Sequence, residues 1–200
     1  MYALIIESPD AGALADQLNT LPSADRCSHE FAVSSTGRLS AVFTTPEAAL
    51  DATLMTLRQP GVKVGLGTAG NAPEEVAGSP MAYARAGLDR CTAGPTQANA
   101  AYRNIAVEAP DPRLADAATG VARLLSRLIG TRTQAEWHVV DLLLPGVRGQ
   151  HRAIADALGI SPQAVSKALI RTGWHEQTEG YFALVEILRR LEGSAADAAQ

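Results

Sequence analysis

The chain has 200 residues, enough for one large domain or two small ones, and at 46% hydrophobic and 19% charged it has the composition of a folded protein. A net charge of −4 excludes a molecule coated with basic surface for indiscriminate polyanion binding. Two cysteines, Cys27 and Cys91, exclude a disulfide scaffold, and neither has metal-ligand spacing.

Aromatic residues make up only 4%, so Ala, Leu, Val and Ile must fill the cores. The opening "MYALIIESPD" lacks the basic segment and long apolar run of a signal peptide. No stretch approaches the roughly 18 consecutive apolar residues of a membrane span. The expectation is a soluble cytoplasmic protein with no membrane partner.

In chain order, "YALIIES" (2–8) reads as a buried strand, and "AGALADQLNTL" (11–21) spaces Leu14, Leu18 and Leu21 for a helix. "HEFAVSS" and "RLSAVFT" flank Thr36-Gly37 as a hairpin. Pro46 opens a helix with Glu47 in its first turn and Arg58 in its last, matching the helix dipole. "VKVGLGTAG" is a strand, "SPMAYARAGLDRC" a helix opened by Ser79 and Pro80, and "YRNIAVEAP" a closing strand. The order β-α-β-β-α-β, then α-β, predicts an α+β fold whose first domain, 1–110, is a ferredoxin-like sheet with helices on one face. Pro110-Asp-Pro112 is a stiff break.

From Arg113 onward the pattern is helical. "RLADAATGVARLLSRLIG" places Leu114, Ala118, Val121, Leu125 and Leu128 on one side, a candidate dimer seam. Thr133 and Glu136 have capping-box spacing. After Trp174, Phe182, Val185, Leu188 and Leu191 recur at helical spacing; a helix packing on Trp137 and Trp174 is expected, with a strand at 181–185 and a wing as the alternative. The second domain is therefore all-α over 111–193, followed by a disordered tail at 194–200.

Charge is unevenly distributed. Residues 1–110 carry 7 basic and 11 acidic side chains, whereas 147–174 carry Arg148, Arg152, Lys167 and Arg171 against Asp156. Within that basic stretch lies "HRAIADALGISPQAVSKALI" (151–170). Its apolar or small residues fall at Ile154, Ala155, Leu158, Ile160, Val165 and Ala168, with Gly159 between the halves. Ala155 allows two helices to cross closely, Gly159 supplies the turn, Ser161 caps the second helix and Pro162 occupies its first turn. Ile154, Leu158, Val165 and Leu169 form the shared core.

"IADALGISPQAVSKAL" resembles the helix-turn-helix of bacterial transcriptional regulators. The resemblance implies that the second helix enters the DNA major groove, with Ser161, Gln163, Ser166 and Lys167 facing outward. Gln163 has the amide for bidentate contact with adenine, and Lys167 reaches guanine or a phosphate. Arg148, Arg152 and Arg171 suit backbone phosphates, which position without specifying. Double-stranded DNA is the expected partner, read as a homodimer on paired half-sites, with any small-molecule effector unknown.

In the first domain, "GLGTAG" (65–70) is a literal G-x-G-x-x-G, but Asn71-Ala72-Pro73 follows where a dinucleotide site needs a helix. "VKVGLGTAG" with "GSPMAYARAGLDRC" resembles the nucleotidyl-cyclase-like ferredoxin fold, and more closely the SatD-type proteins, through Gly65, Gly67, Gly78, Ala84, Arg85 and Leu88. That resemblance implies two acidic residues holding a divalent metal. Glu7 stands for the first; Arg38 occupies the place of the second, and Met81 that of a polar Asn. A degenerate metal site, no cofactor and no enzymatic activity are expected. Cys91 beside Arg90 is a candidate for a lowered thiol pKa, against the plainer reading of a half-buried small residue. The leading function is a DNA-binding transcriptional regulator; the alternatives are a nucleotide-binding sensor or residual cyclase-like enzyme targeted to DNA, and a protein–protein adaptor.

Overall fold

β1 (Tyr2–Glu7) is apolar from Tyr2 to Ile6 because both its edges and both its faces are covered. A computed structural model describes the chain except residues 23–26, 28–30, 71–77, 93–102, 145–146 and 198–200. After β1 come α1 (Ala11–Asn19), β2 (Ala32–Val33), β3 (Arg38–Phe43), α2 (Pro46–Thr56), β4 (Lys63–Thr68), α3 (Pro80–Thr92) and β5 (Ile105–Glu108). Five helices follow: α4 (Pro112–Gly130), α5 (Gln134–Asp141), α6 (His151–Leu158), α7 (Pro162–Thr172) and α8 (Trp174–Asp197). The fold is mixed α+β around a five-stranded sheet of order β2-β3-β1-β4-β5. β1 pairs antiparallel with β3 and β4, whereas β4 and β5 run parallel through the α3 crossover. The β2–β3 hairpin turns at Gly37, whose φ of +73° a side chain would resist.

Alternation along β1 separates two layers. Tyr2, Leu4 and Ile6 join a large core with residues of α1, α2, α4 and α8, while Ala3 and Ile5 pack against Ala84 and Leu88 of α3. The expectation of helices on one face is thereby corrected. The cause lies in "GLG". A Cβ on Gly65 would lie 2.0 Å from the Ala84 carbonyl oxygen, and one on Gly67 2.2 Å from the Ala84 nitrogen. These glycines let α3 sit on the sheet's second face; the motif serves helix–sheet contact.

The apolar clusters also divide elsewhere than at 110/111. Ala115, Ala118, Ala122, Leu125 and Ile129 of α4, and Leu184, Val185, Leu188 and Leu191 of α8, belong to the large core with the sheet. α4 further closes the exposed edge of β5: the Thr119 hydroxyl accepts from Val107 N–H at 2.9 Å and donates to its carbonyl at 3.2 Å. Arg123 Nε donates to Ile105 O at 3.1 Å. The stripe expected as a dimer seam is thus largely spent inside the chain. A second, smaller core joins Val139 of α5, Ile154 and Ala155 of α6, and Val165, Ala168 and Leu169 of α7.

Further expectations shift along the chain. α2 ends at Thr56, so Arg58 lies beyond its last turn and instead donates to Asp141 of α5 at 2.8 Å. Residues 174–197 form one helix, which removes the wing alternative and makes 194–197 helical where a loose tail was expected; 198–200 lie outside the described residues. Phe182 is 66% exposed although it shares the apolar spacing of its helix. Ile160, outside the expected shared core, is 40% exposed in the turn. Among the described residues no helix is long and apolar enough to cross a membrane.

Candidate nucleic-acid interface

Local chemistry builds the α6–α7 corner. α6 ends at Gly159, in the left-handed region at φ 65°, and Ile160 N–H reaches back to Ala155 O at 3.0 Å. That six-to-one bond closes the helix end in the Schellman manner. Ser161 is extended, its hydroxyl accepts the Ala164 N–H at 3.1 Å, and Pro162 follows where no N–H is needed. The turn, cap and proline stand where the spacing placed them.

α7 buries Val165, Ala168, Leu169 and Thr172, a stripe at i, i+3, i+4 and i+7, against α5 and α6. Gln163, Lys167 and Ile170 are left exposed. Ser161 is exposed at the helix start; Ser166 is half-buried, its hydroxyl sharing a hydrogen bond with His151 Nδ1 across the two helices at 3.1 Å. Arg148 and Arg152 are exposed before and within the first turn of α6. Arg171 is exposed too, but its Nε lies 3.3 Å from Glu136 Oε1. Glu136 also accepts from the Thr133 N–H and hydroxyl, both at 2.9 Å, completing the expected capping box. These bonds, the Thr133 amide first, hold the Glu136 carboxyl below its ordinary value.

Three residues outside the sequence-based set complete the surroundings. Gln150 clamps the approach to α6, accepting from Leu144 N–H at 2.7 Å and donating to the Leu144 and Val147 carbonyls at 2.8 and 2.7 Å. Arg132, buried, donates through Nε and Nη2 to Thr172 O at 2.9 and 2.8 Å, tying the end of α7 to the α4–α5 junction. Burial, then the charge of Arg58, pushes this guanidinium down to about 10, so it stays charged at neutral pH. Ile170 is 75% exposed on the presenting side of α7. Its break in the apolar stripe was the readable signal; the contacts of Gln150 and Arg132 depend on tertiary placement.

The sheet carries a different constellation. Glu7 accepts from Lys63 Nζ at 3.0 Å and from Arg38 at 3.3 Å, and the register pairs it with both residues across β3 and β4. The Lys63 hydrogen bond, chiefly, holds its carboxyl below the ordinary value. Two cations bracket the one acid, so these residues do not fit a divalent metal. Arg85 is exposed on α3, away from the contact with β4 made by Ala84 and Leu88. The Cys91 thiol donates to Val64 O at 3.5 Å, and burial pushes it up to about 11 rather than down.

No protein-family model, curated protein or solved structure matches this chain.

Proposed function

We propose that this chain is a sequence-specific DNA-binding transcriptional regulator that reads an operator through α6 and α7 as a helix-turn-helix. One observation carries the reading: a Gly159-hinged, capped helix pair closes its own core while leaving Gln163 and Lys167 outward beside Arg148 and Arg152. In this reading Gln163 and Lys167 address base edges, and Ser161 and Ser166 line the helix start. Arg148, Arg152 and, by exchanging Glu136 for phosphate, Arg171 engage the backbone. Ile170 meets a thymine methyl.

Strand order β2-β3-β1-β4 supports a ferredoxin-like core for the first half, extended by β5. Its role here is dimerisation or sensing in the cytoplasm, without catalysis, since Arg38 and Lys63 occupy the carboxylate a metal would need. Dimerisation follows from geometry: one half-site gives limited affinity, and two copies would bind half-sites about 34 Å apart, using a surface other than the covered α4 stripe.

Selection of bound duplexes from a random pool tests this, with a recurring, two-fold related sequence expected. On that sequence Gln163→Ala relaxes preference at one base pair by about 1–3 kcal/mol. Arg152→Ala weakens all sequences alike and lowers the salt slope by about one. Selection that returns no enriched sequence overturns the reading. The exposed Ile170 and Ile160 favour one second reading, an adaptor whose apolar corner docks on another protein.

A further inference from the structure

The cavity between α2, α5 and α8 takes in both tryptophans, and its lining carboxylates are met from within, Asp141 by Arg58 and Asp51 by Tyr181. A groove between α4 and α8 is of another kind. About 500 Å³ in volume, it runs beside Leu124 and is lined by Val121, Leu125, Leu128 and Gly180.

α4 carries apolar residues on two sides. Ala115, Ala118, Ala122, Leu125 and Ile129 are buried in the large core. Leu114, Ala117, Val121, Leu124 and Leu128 repeat the same alternation of three and four, each one residue earlier. Of these, Leu114, Val121 and Leu128 are half-buried, Ala117 is exposed and Leu124 is 66% exposed. That alternation is the seam pattern of one helix laid along another.

The shape of this face commits it to a second copy of the chain. Its ridge, Leu124, and a groove able to take a ridge lie side by side on one surface, as an isologous contact requires. Leu128 lies against Gly173 and Leu125 against Gly180, so α4 and α8 run antiparallel with Leu124 level with Gly180. A two-fold axis along the groove lays α4 of each copy over α8 of the other. It sets Leu124 at Gly180 of the partner subunit, where α8 has no side chain to bar its approach. The lining charges are one of each sign, Arg127 from α4 and Glu176 from α8. Two copies therefore meet without net repulsion, and a polyanion or anionic lipid finds no net charge to hold it. Leu114 to Leu128 spans about 21 Å, and two adjacent helices are roughly 20 Å wide. Such a face buries on the order of 1,000 Å² over both copies, the lower bound for a specific interface, which fits a micromolar dimer.

We propose that this chain forms a two-fold dimer through the outer side of α4 and the adjoining α8, Leu124 of each copy seated in the groove of the other. Its use on paired half-sites rests on the DNA reading; the contact itself does not.

Sedimentation of the full chain without DNA, from about 1 to 200 µM, reads the contact directly. The unaltered chain is expected to pass from monomer to dimer across that range. Leu124→Glu places a carboxylate in the apolar groove and should weaken association at least about tenfold at an unchanged melting midpoint. Leu124→Met keeps the apolar bulk and should associate like the unaltered chain. Phe182→Glu alters an equally exposed residue that lines the tryptophan cavity instead, and should leave association intact. A chain monomeric throughout overturns the proposal, as does a Leu124→Glu chain that associates normally. So does a loss in Phe182→Glu as large as that in Leu124→Glu, the mark of unspecific apolar contact. If Leu124→Glu folds poorly, Ala117→Glu, exposed on the same side of α4, decides by the same measure. Duplex selection keeps the two readings apart: a dimer with no enriched sequence sinks the DNA reading alone, and a monomer on a single enriched half-site sinks the dimer alone.

Discussion

The sheet layer and the α5–α7 unit are built to different depths. Among the described residues the large core gathers thirty buried apolar side chains from strands and helices far apart in sequence, whereas the small one rests on six. Six such residues do not stabilise an independent unit of this size. The α5–α7 unit therefore depends on ties to its neighbour: Arg132 on Thr172 O, Arg58 on Asp141, and Trp137 carrying both guanidinium groups, with Arg132 4.8 Å from its ring centroid. The difference teaches a division of labour. The sheet layer holds shape through burial, and the helical unit presents side chains from a frame fixed by a few polar clamps.

The hardest test of that division falls on the glycines under α3. Gly65→Ala drives a methyl into backbone atoms that no side-chain rotation relieves, so we expect a loss of about 3 kcal/mol or more and poor folding, read by denaturant melts. Wild-type stability in that variant would show that α3 can lift from the sheet, and the two-faced packing would be mistaken. Next in size, Leu169→Ala empties part of the small core and should cost about 2–3 kcal/mol. Hydrogen exchange sharpens the comparison here: amides of α6 and α7 lose protection while those of β1 and β4 keep theirs. Equal loss in both regions would make the molecule a single cooperative unit.

Gly159→Ala is smaller. The residue must hold a φ of +65° with open space around it, so the cost is the left-handed backbone alone, about 1 kcal/mol in a thermal melt. A similar change at Gly120, in mid-helix with equal space, should instead stabilise by a few tenths up to about 1 kcal/mol.

At neutral pH the thiol of Cys91 contributes least to stability. The folded chain holds this proton more tightly than the unfolded one, so its contribution to stability is complete below the ordinary thiol value of 9.0 and is lost as pH rises toward about 11. At pH 8 alkylation of Cys91, followed by mass spectrometry, should run roughly a hundredfold slower than that of a free thiol. Rapid labelling there would mean that α3 and β4 part readily, placing the weak region in the sheet rather than in the helical unit.

Much of the candidate interface was legible because its determinants are short-range. Gly159, Ser161 and Pro162 act on backbone atoms a few residues away, and the apolar rhythm of Val165, Ala168 and Leu169 marks the inner side of α7, so Gln163 and Lys167 follow as outward. Ser166 illustrates the limit: its position is outward by spacing, yet its hydroxyl meets His151 because α6 crosses close by. Arg171 likewise reads as a free cation until Glu136, 35 residues earlier, is brought to it by α5.

Sequence alone determined the start of nearly every element, the capped and hinged corner, the Gly37 hairpin and the uneven charge, since each depends on torsion preferences and contacts within a turn or two. Tertiary structure alone decided that α3 covers the second face of the sheet, that α4 and α8 spend their inner apolar sides on the large core, and that two tryptophans 37 positions apart share one cavity. An apolar stripe records only that something must cover it. What covers it is set by which surfaces the chain can bring within van der Waals distance, and here those surfaces are the closed edge of β5 and the side-chain-free backbone at Gly65 and Gly67.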